Sequence, residues 1–523
     1  MATRDHTADG DEVTPAPRTL TTRPWRHDTE PLQDVDRSHP ISQSCKPDTV
    51  QTALSSLNRF AVQTDPSQLP NSLEARDRRA LVHGLTNLAQ HLTVGPKIIE
   101  SGQGVWVTDN EGKTYIEGMS GLWCISLGYG QERLITACEQ QMRKLAYYHL
   151  TNHKAHPAAI ELADKLLAIA PVPMSHVWFA NSGSESADCA ARLCWYYWNA
   201  VGKPQKRKFL SHDKAYHGNT VASASLTGTA YAHDGFNLPL DGFLHVATPH
   251  YIAAAKSGES EQQFVGRLLA DLETRILDEG PETIAAFFTE PVMAAGGVIV
   301  PPQGYFAGVQ KIMKKYDILL VVDEVVTAFG RTGEMFGTTR MALMPDMIIT
   351  AKGLTSAYIP MSALLLNARV FDAMVDYSDM LGIFGLTLTY SGHPVAAAVA
   401  SEAIAIYEDL SLADRTKTLE PVLLDGLRQR LASHPNVGDI RGVGLLAGVQ
   451  LVARRDPFTP FDPAARFGAK IATFAEANGL IVRAIGDTIA ICPPLVITEA
   501  EIGLLIERLS CAIELATAEL STC

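Results

Sequence analysis

The stretch IITAKGLTSAYIP, residues 348 to 360, carries one lysine at the end of an apolar run, directly before a turn rich in small residues. An ammonium is strongly hydrated, so its place at the mouth of what reads as a buried strand asks for partners. Runs of the same kind recur at SHVWFAN (175 to 181), RKFLS (207 to 211), IAAFFTE (284 to 290), DILLVVD (317 to 323) and MSALLLN (361 to 367), with helical stretches between them. Apolar runs covered on both faces and separated by helices imply a mainly parallel sheet in an α/β domain.

The 523 residues are 46% apolar and 19% charged, which is enough for a large core and more than one domain. A formal charge of -13 gives no electrostatic case for nucleic acid or an anionic membrane surface as a partner. No apolar run approaches the roughly 20 residues of a membrane span. The eight cysteines, at 45, 124, 138, 189, 194, 492, 511 and 523, are scattered without a CxxC pair, and the histidines show no metal-ligand spacing. Reduced thiols, a cytoplasmic location and no metal are expected.

Residues 1 to 70 read as a flexible leader, with prolines scattered among polar residues and acids that argue against a mitochondrial transit peptide. From 71 to 130 a helical segment precedes GVWVTDNEGKTYIEG, whose D-N-E-G turn separates two alternating runs as in a hairpin. Residues 131 to 390 hold the strand and helix alternation of a large domain. From 391 to 523 the pattern is mostly helical, with short strands near GVGLLAGVQL and GLIVRAIGDTIAICPP. The two flanks are expected to form one smaller α+β domain.

In an open parallel sheet ligands sit beyond the carboxyl ends of the strands, so the residue after each run is informative. SHVWFA leads into NSGSES, RKFL into SHDKAYHGNT, AAFFT into Glu290, ILLVV into Asp323 and MIITA into Lys352. The turn from Asn181 to Glu185 precedes a helix and offers amides and hydroxyls to an anion, or is a plain Ser-capped helix start. Asp323 closes a run of aliphatics and needs a cationic or donor partner. A protonated ring nitrogen of a cofactor would serve, supported by Glu290; the alternative is that both acids cap helices or pair with Arg331. A lysine, a carboxylate and a phosphate turn together match the needs of pyridoxal phosphate, whose aldehyde the Lys352 amine must reach. Partial desolvation would supply that amine as free base.

Seven motifs in family order carry a specific resemblance: GMSGLWCISLGYG, NSGSES, YHGNT, EPVMAAGGVIVPPQGY, DEVVTAFGRTG, AKGLTSAYIP and TYSGHPVAAAVA. From about residue 71 to its end the chain resembles the class III aminotransferases of the fold type I pyridoxal phosphate enzymes, and within them the amine:pyruvate, or omega, branch. The resemblance implies a seven-stranded, mainly parallel sheet flanked by helices and a homodimer or tetramer with shared active sites. It implies Lys352 as the Schiff-base lysine and Asp323 at the ring nitrogen with Glu290 behind it. Tyr216 and Val325 would cover the two faces of the ring, with His217 and Gly218 beside Tyr216. Ser182, Gly183 and Ser184 match the phosphate turn, and Thr389 a threonine reaching the phosphate from the partner subunit. Leu122, Trp123 and Leu388 match pocket walls, and Arg483 a mobile arginine that admits an apolar amine or holds a carboxylate.

Three departures stand out. Leu386 to Tyr390 reads LTLTY where the family usually shows H-G-[FY]-T-Y, so Leu388 replaces an aromatic; Ala357 stands where glycine is common; and Ser186-Ala187-Asp188 replaces AND. An aliphatic wall favours long aliphatic amines as donors. The implied reaction moves an amino group from a primary amine to a keto acid such as pyruvate, in ping-pong fashion. The rivals are an aminotransferase for 4-aminobutyrate, β-alanine, ornithine or diaminopelargonate and, from another class, a silent scaffold that kept the fold.

Overall fold

The computed structural model describes residues 71–520; the expected leader, residues 1 to 70, lies outside them. The N-terminal flank places β1 (Ile99–Gln103), β2 (Trp106–Asp109) and β3 (Thr114–Glu117) in an antiparallel meander. The turn between β2 and β3 is closed by the Asp109 carboxylate, whose Oδ1 accepts from the amides of Glu111 and Lys113. This is the hairpin that the D-N-E-G signal specifies.

Seven strands follow: β4 (His176–Ala180), β5 (Lys208–His212), β6 (Phe243–Val246), β7 (Ile284–Thr289), β8 (Leu319–Asp323), β9 (Met347–Thr350) and β10 (Ser362–Leu366). They form one sheet in the order β4-β10-β9-β8-β7-β5-β6. The pairs β5–β6, β5–β7, β7–β8 and β8–β9 are parallel, whereas β10 runs antiparallel to both β4 and β9. MSALLLN is therefore the one reversed strand of a mainly parallel sheet, and β4 still runs with the other five.

Every residue of β7, β8, β9 and β10 is buried, as unalternating apolar runs require. Successive side chains nonetheless go to opposite faces. Phe288, Val321 and Ile349 pack with the Gly183–Ala200 helix, while Phe287, Leu320 and Val322 pack with the Glu261–Glu279 and Tyr305–Lys315 helices. One consequence matters for chemistry: β4, β5, β7, β8 and β9 all end at the same edge of the sheet.

The C-terminal flank contributes β11 (Val437–Val443), β12 (Leu446–Leu451), β13 (Leu480–Ile481), β14 (Arg483–Ile485) and β15 (Thr488–Ile491). Four of these form a sheet in the order β11-β12-β15-β14, and β13 instead pairs in parallel with β3, Leu480 opposite Ile116. The two ends of the chain thus share a sheet. A single apolar cluster runs from Val105 and Ile116 through Leu423 and Leu445 to Ile513, so this joint is packed as well as hydrogen-bonded.

Candidate active site

The last residue of β8, Asp323, is 5% exposed. Its Oδ1 accepts from the Val325 amide at 3.0 Å and its Oδ2 from His217 Nδ1 at 2.9 Å. His217 is itself buried; burial works against its charge, but the bond to Asp323 and the nearby acids hold its pKa above the usual imidazole value. The partner that a buried carboxylate requires is therefore a histidine of this chain. Arg331, the rival for that part, is spent elsewhere: its guanidinium donates to the Leu445 and Pro493 carbonyls and to Ser120 Oγ, tying β8's loop to the C-terminal flank.

Glu290 leaves β7 one strand away. It accepts from the amides of Tyr216 at 3.1 Å and Ala294 at 3.3 Å. Burial pushes its pKa up to about 7, with His217 pulling it down and Asp323 pushing it further up. Neither acid caps a helix. That role falls to Glu324, which accepts from the amides of Gly337 and Thr338.

Lys352 follows β9 by two residues and has a positive φ of 46°. Its Nζ has no hydrogen bond or ion pair among the described residues. Burial of the ammonium holds its pKa below the ordinary lysine value, against the opposing pull of Cys124, Asp323, Glu290 and Cys492. An unpartnered amine that loses its proton readily, facing two buried acids, has nucleophile and base chemistry.

The turn after β4 lies beside this group. Ser182 caps the Gly183–Ala200 helix through its Oγ, which accepts from the Glu185 amide, and Glu185 Oε2 accepts from the Asn181 amide. The amides of Gly183 and Ser184 have no partner among the described residues, as expected of the first helical positions. A Cβ at Gly183 would lie 3.1 Å from Val325 Cγ2 and 3.8 Å from the Ala351 Cβ, so the turn, β8's exit and β9's exit touch. Gly218 has φ +136° and sits where a Cβ would approach Ser184 Oγ to 2.5 Å, which only glycine allows. The same contact brings Tyr216 in: the Asn219 amide donates to Ser184 Oγ, and Asn219 Nδ2 to the Tyr216 hydroxyl.

The remaining residues are more dispersed. Trp123 is 3% exposed, packed with Met119, Val292 and Ala490, and its Nε1 is buried without a partner; Leu122 beside it is exposed. Arg483 opens β14 and is half-buried; its guanidinium makes no hydrogen bond or ion pair among the described residues, yet its charge reaches the Tyr216 hydroxyl electrostatically. Leu388 is half-buried and packs on its own chain, against the cluster that also holds Val325. Thr389 is exposed, its carbonyl accepting from the Tyr147 hydroxyl at 2.6 Å. In the SAD departure, Ser186 Oγ bonds Ser362 Oγ at 2.8 Å and Asp188 accepts from the Ser223 amide, so both polar groups are in use.

Two features escaped the sequence reading. The His217–Asp323 bond spans 106 residues, and its only local sign is a histidine inside AYHG. Glu117, at the end of β3, is buried and accepts from the Met119 amide, and burial raises its pKa to about 7. No spacing distinguishes it from the other acids of its hairpin.

A family profile described as "Aminotransferase class-III" matches residues 89–513. Gamma-aminobutyrate transaminase 1, mitochondrial, of Oryza sativa subsp. japonica is 44% identical over 414 residues, 79% of this chain and 80% of that protein. The gamma aminobutyrate transaminase 1, mitochondrial, of Solanum lycopersicum is 41% identical over 467 residues, 87% of this chain and 90% of that one. Among solved structures, the omega transaminase from Pseudomonas jessenii in complex with PMP is 49% identical, with a TM-score of 0.85 over 86% of this chain and 99% of that chain.

Proposed function

We propose, from the premise that the chain belongs to the class III aminotransferases, that it takes amino groups from primary amines, long aliphatic ones included, and delivers them to a keto acid such as pyruvate. It is a pyridoxal phosphate-dependent transaminase. The observation that carries the site assignment is the unpartnered Lys352 amine, held among Asp323 and Glu290 at the strand edge where the Gly183 and Ser184 amides are also free.

These residues fit the cofactor. The two free amides at the start of an 18-residue helix suit a phosphate. Asp323 would hold the ring nitrogen, Tyr216 and Val325 would cover the ring faces, and Lys352 would be the covalent anchor. Bound there, pyridoxal phosphate supplies an exchangeable carbonyl and a ring that withdraws electrons from the substrate carbon. Asp323, kept in place by the Val325 amide and His217, presents a carboxylate that favours a protonated ring nitrogen. Glu290 fixes the backbone of Tyr216 and so sets that ring. Lys352 Nζ, with its lowered pKa, takes and returns the substrate proton as general base and acid. Arg483 has a charge with no bond in its own chain, so a keto acid carboxylate would gain a charge-assisted pair that an alkylamine does not need.

A second reading, transamination of 4-aminobutyrate, is favoured by the relatives that bear that name. The two separate in a spectroscopic half-reaction with cofactor-loaded enzyme, comparing hexylamine, 1-phenylethylamine, 4-aminobutyrate, β-alanine and ornithine as donors. Conversion by hexylamine at a rate above that of 4-aminobutyrate supports the first reading, and the reverse order replaces it by the second.

A homodimer, or a tetramer built from it, is supported by the exposed Met380, Leu381, Ile383 and Tyr390 beside Thr389, an apolar patch that a partner subunit would cover. A cytoplasmic, reducing location agrees with Cys124, Cys138, Cys189, Cys194, Cys492 and Cys511 being free thiols. Among the described residues no helix is long and apolar enough to cross a membrane.

A further inference from the structure

Away from the site, three side chains of metal-binding chemistry converge near residue 80. Asp77 lies in the Leu73–Ala80 helix, His83 in the turn that follows and His91 in the Leu88–Val94 helix. His83 Nε2 is 2.8 Å from Asp77 Oδ2, and His91 Nε2 is 2.8 Å from Asp77 Oδ1. The three ligand atoms lie within 4.8 Å of one another, and the imidazole centroids are 4.1 Å apart. A four-coordinate ion with bonds of about 2.0–2.1 Å spaces its ligand atoms roughly 3.3 Å apart, so the widest separation would close by about 1.5 Å at most and the two nitrogen–oxygen contacts would open by about 0.5 Å.

We infer that Asp77, His83 and His91 bind a divalent transition-metal ion of the zinc class, with water as fourth ligand. Two imidazoles and one carboxylate suit zinc, cobalt or nickel and do not suit calcium or magnesium, which take oxygen ligands. The side chains of His91, Asp77 and His83 are 9%, 13% and 30% exposed, so the group is enclosed yet reachable through His83.

The surroundings give such an ion something to do. Neither helix buries a single residue, and Leu81, Val82, Leu88 and Leu92 are exposed. Apolar packing therefore contributes little to holding the two helices together; beyond the cluster, Arg78 Nη2 reaches the Val94 carbonyl at 3.4 Å. An ion coordinated by residues 77, 83 and 91 would lock this segment, since site formation and local folding are coupled.

The test is cobalt(II) titration of the full, cofactor-loaded chain after chelator treatment, with zinc as competitor. Wild-type protein should take up one tight equivalent per chain with the visible bands of a four-coordinate nitrogen and oxygen site, displaced by zinc. His83→Gln and His91→Gln should each weaken it by more than the roughly 10–100-fold that losing an outer partner costs, while cofactor absorbance and transamination stay at wild-type levels. Trypsin cleavage at Arg78 and Arg79 should slow with zinc in wild type only. Three results would overturn the site: no tight equivalent, an equivalent unchanged in both variants, or the near-ultraviolet charge transfer of thiolate ligation in its place.

Discussion

The Asp323 end of the site and the Arg483 end treat charge in opposite ways. Asp323 has both oxygens bonded within the chain, one to His217 and one to a backbone amide. The Arg483 side chain is half-buried, and its guanidinium has no hydrogen bond or ion pair among the described residues. An internally satisfied charge keeps its position whatever enters the pocket. An unsatisfied one is available to a ligand and free to move, because no bond has to be broken first. On the proposed function, the chemistry common to all substrates rests on the rigid sheet edge, and discrimination between substrates falls to the residues left open.

The largest effect that could break this contrast lies at Lys352. Lys352→Ala should lower turnover by roughly a thousandfold or more, while circular dichroism and sedimentation match wild type, since the lost amine has no bond to the core. Multiple-turnover transamination at an ordinary rate would remove Lys352 from the chemistry. Asp323→Asn comes next, with a loss of about 100-fold or more in both half-reactions, because an amide cannot hold a ring proton as a carboxylate does. Rates near wild type would assign the ring nitrogen to another group.

Arg483→Ala sharpens the other side. Pyridoxamine phosphate formation from hexylamine should be nearly unchanged, and the apparent KM for pyruvate should rise about tenfold or more, as expected from losing a charge-assisted pair of about 1.5–3 kcal/mol. Stopped-flow measurement of each half-reaction decides, and equal damage to both would make Arg483 structural.

Glu290 offers a thermodynamic version of the same comparison. Its pKa is raised from 4.5 to about 7 in the folded chain, so between those values the folded state binds the proton more tightly than the unfolded state. Its contribution to stability is complete below pH 4.5 and declines as pH rises toward 7, at up to about 1.4 kcal/mol per pH unit. Urea unfolding of the cofactor-free protein across this window should show that slope flattened in Glu290→Gln, and an identical slope would place Glu290 in a wetter setting. The smallest effect concerns Ala357, which is exposed and has φ 61°, a conformation that glycine adopts without strain. Ala357→Gly should raise the unfolding free energy by about 1 kcal/mol, read from the urea midpoint, and a lowered midpoint would show that the turn tolerates alanine without strain.

The sequence and the structure agree best where periodicity does the work. Unalternating runs announce buried strands, and the polar residue after each run falls at the sheet edge, which is how Asp323, Glu290 and Lys352 could be read together. What could not be read depends on contacts between distant segments. His217 as the partner of Asp323, and Arg331 turned toward Pro493 instead, follow from how loops fold back over the strand ends. Asp77, His83 and His91 follow no motif, because a turn between two short helices rather than a fixed spacing brings them together. Leu388 reads as a pocket wall in a one-dimensional motif, yet part of its surface is already taken by its own chain.

The parallel pairing of β13 with β3 sets a schedule for synthesis. Ile116 emerges from the ribosome early, and Leu480, its partner across the ladder, comes several hundred residues later. At about 5–20 residues per second, the edge of β3 waits from roughly twenty seconds to more than a minute for its neighbour. During that interval Ile116, fully buried in the finished protein, lacks its partner across the ladder. A chain halted before residue 480 therefore keeps an unpaired edge on β3, the kind of edge that associates with other chains.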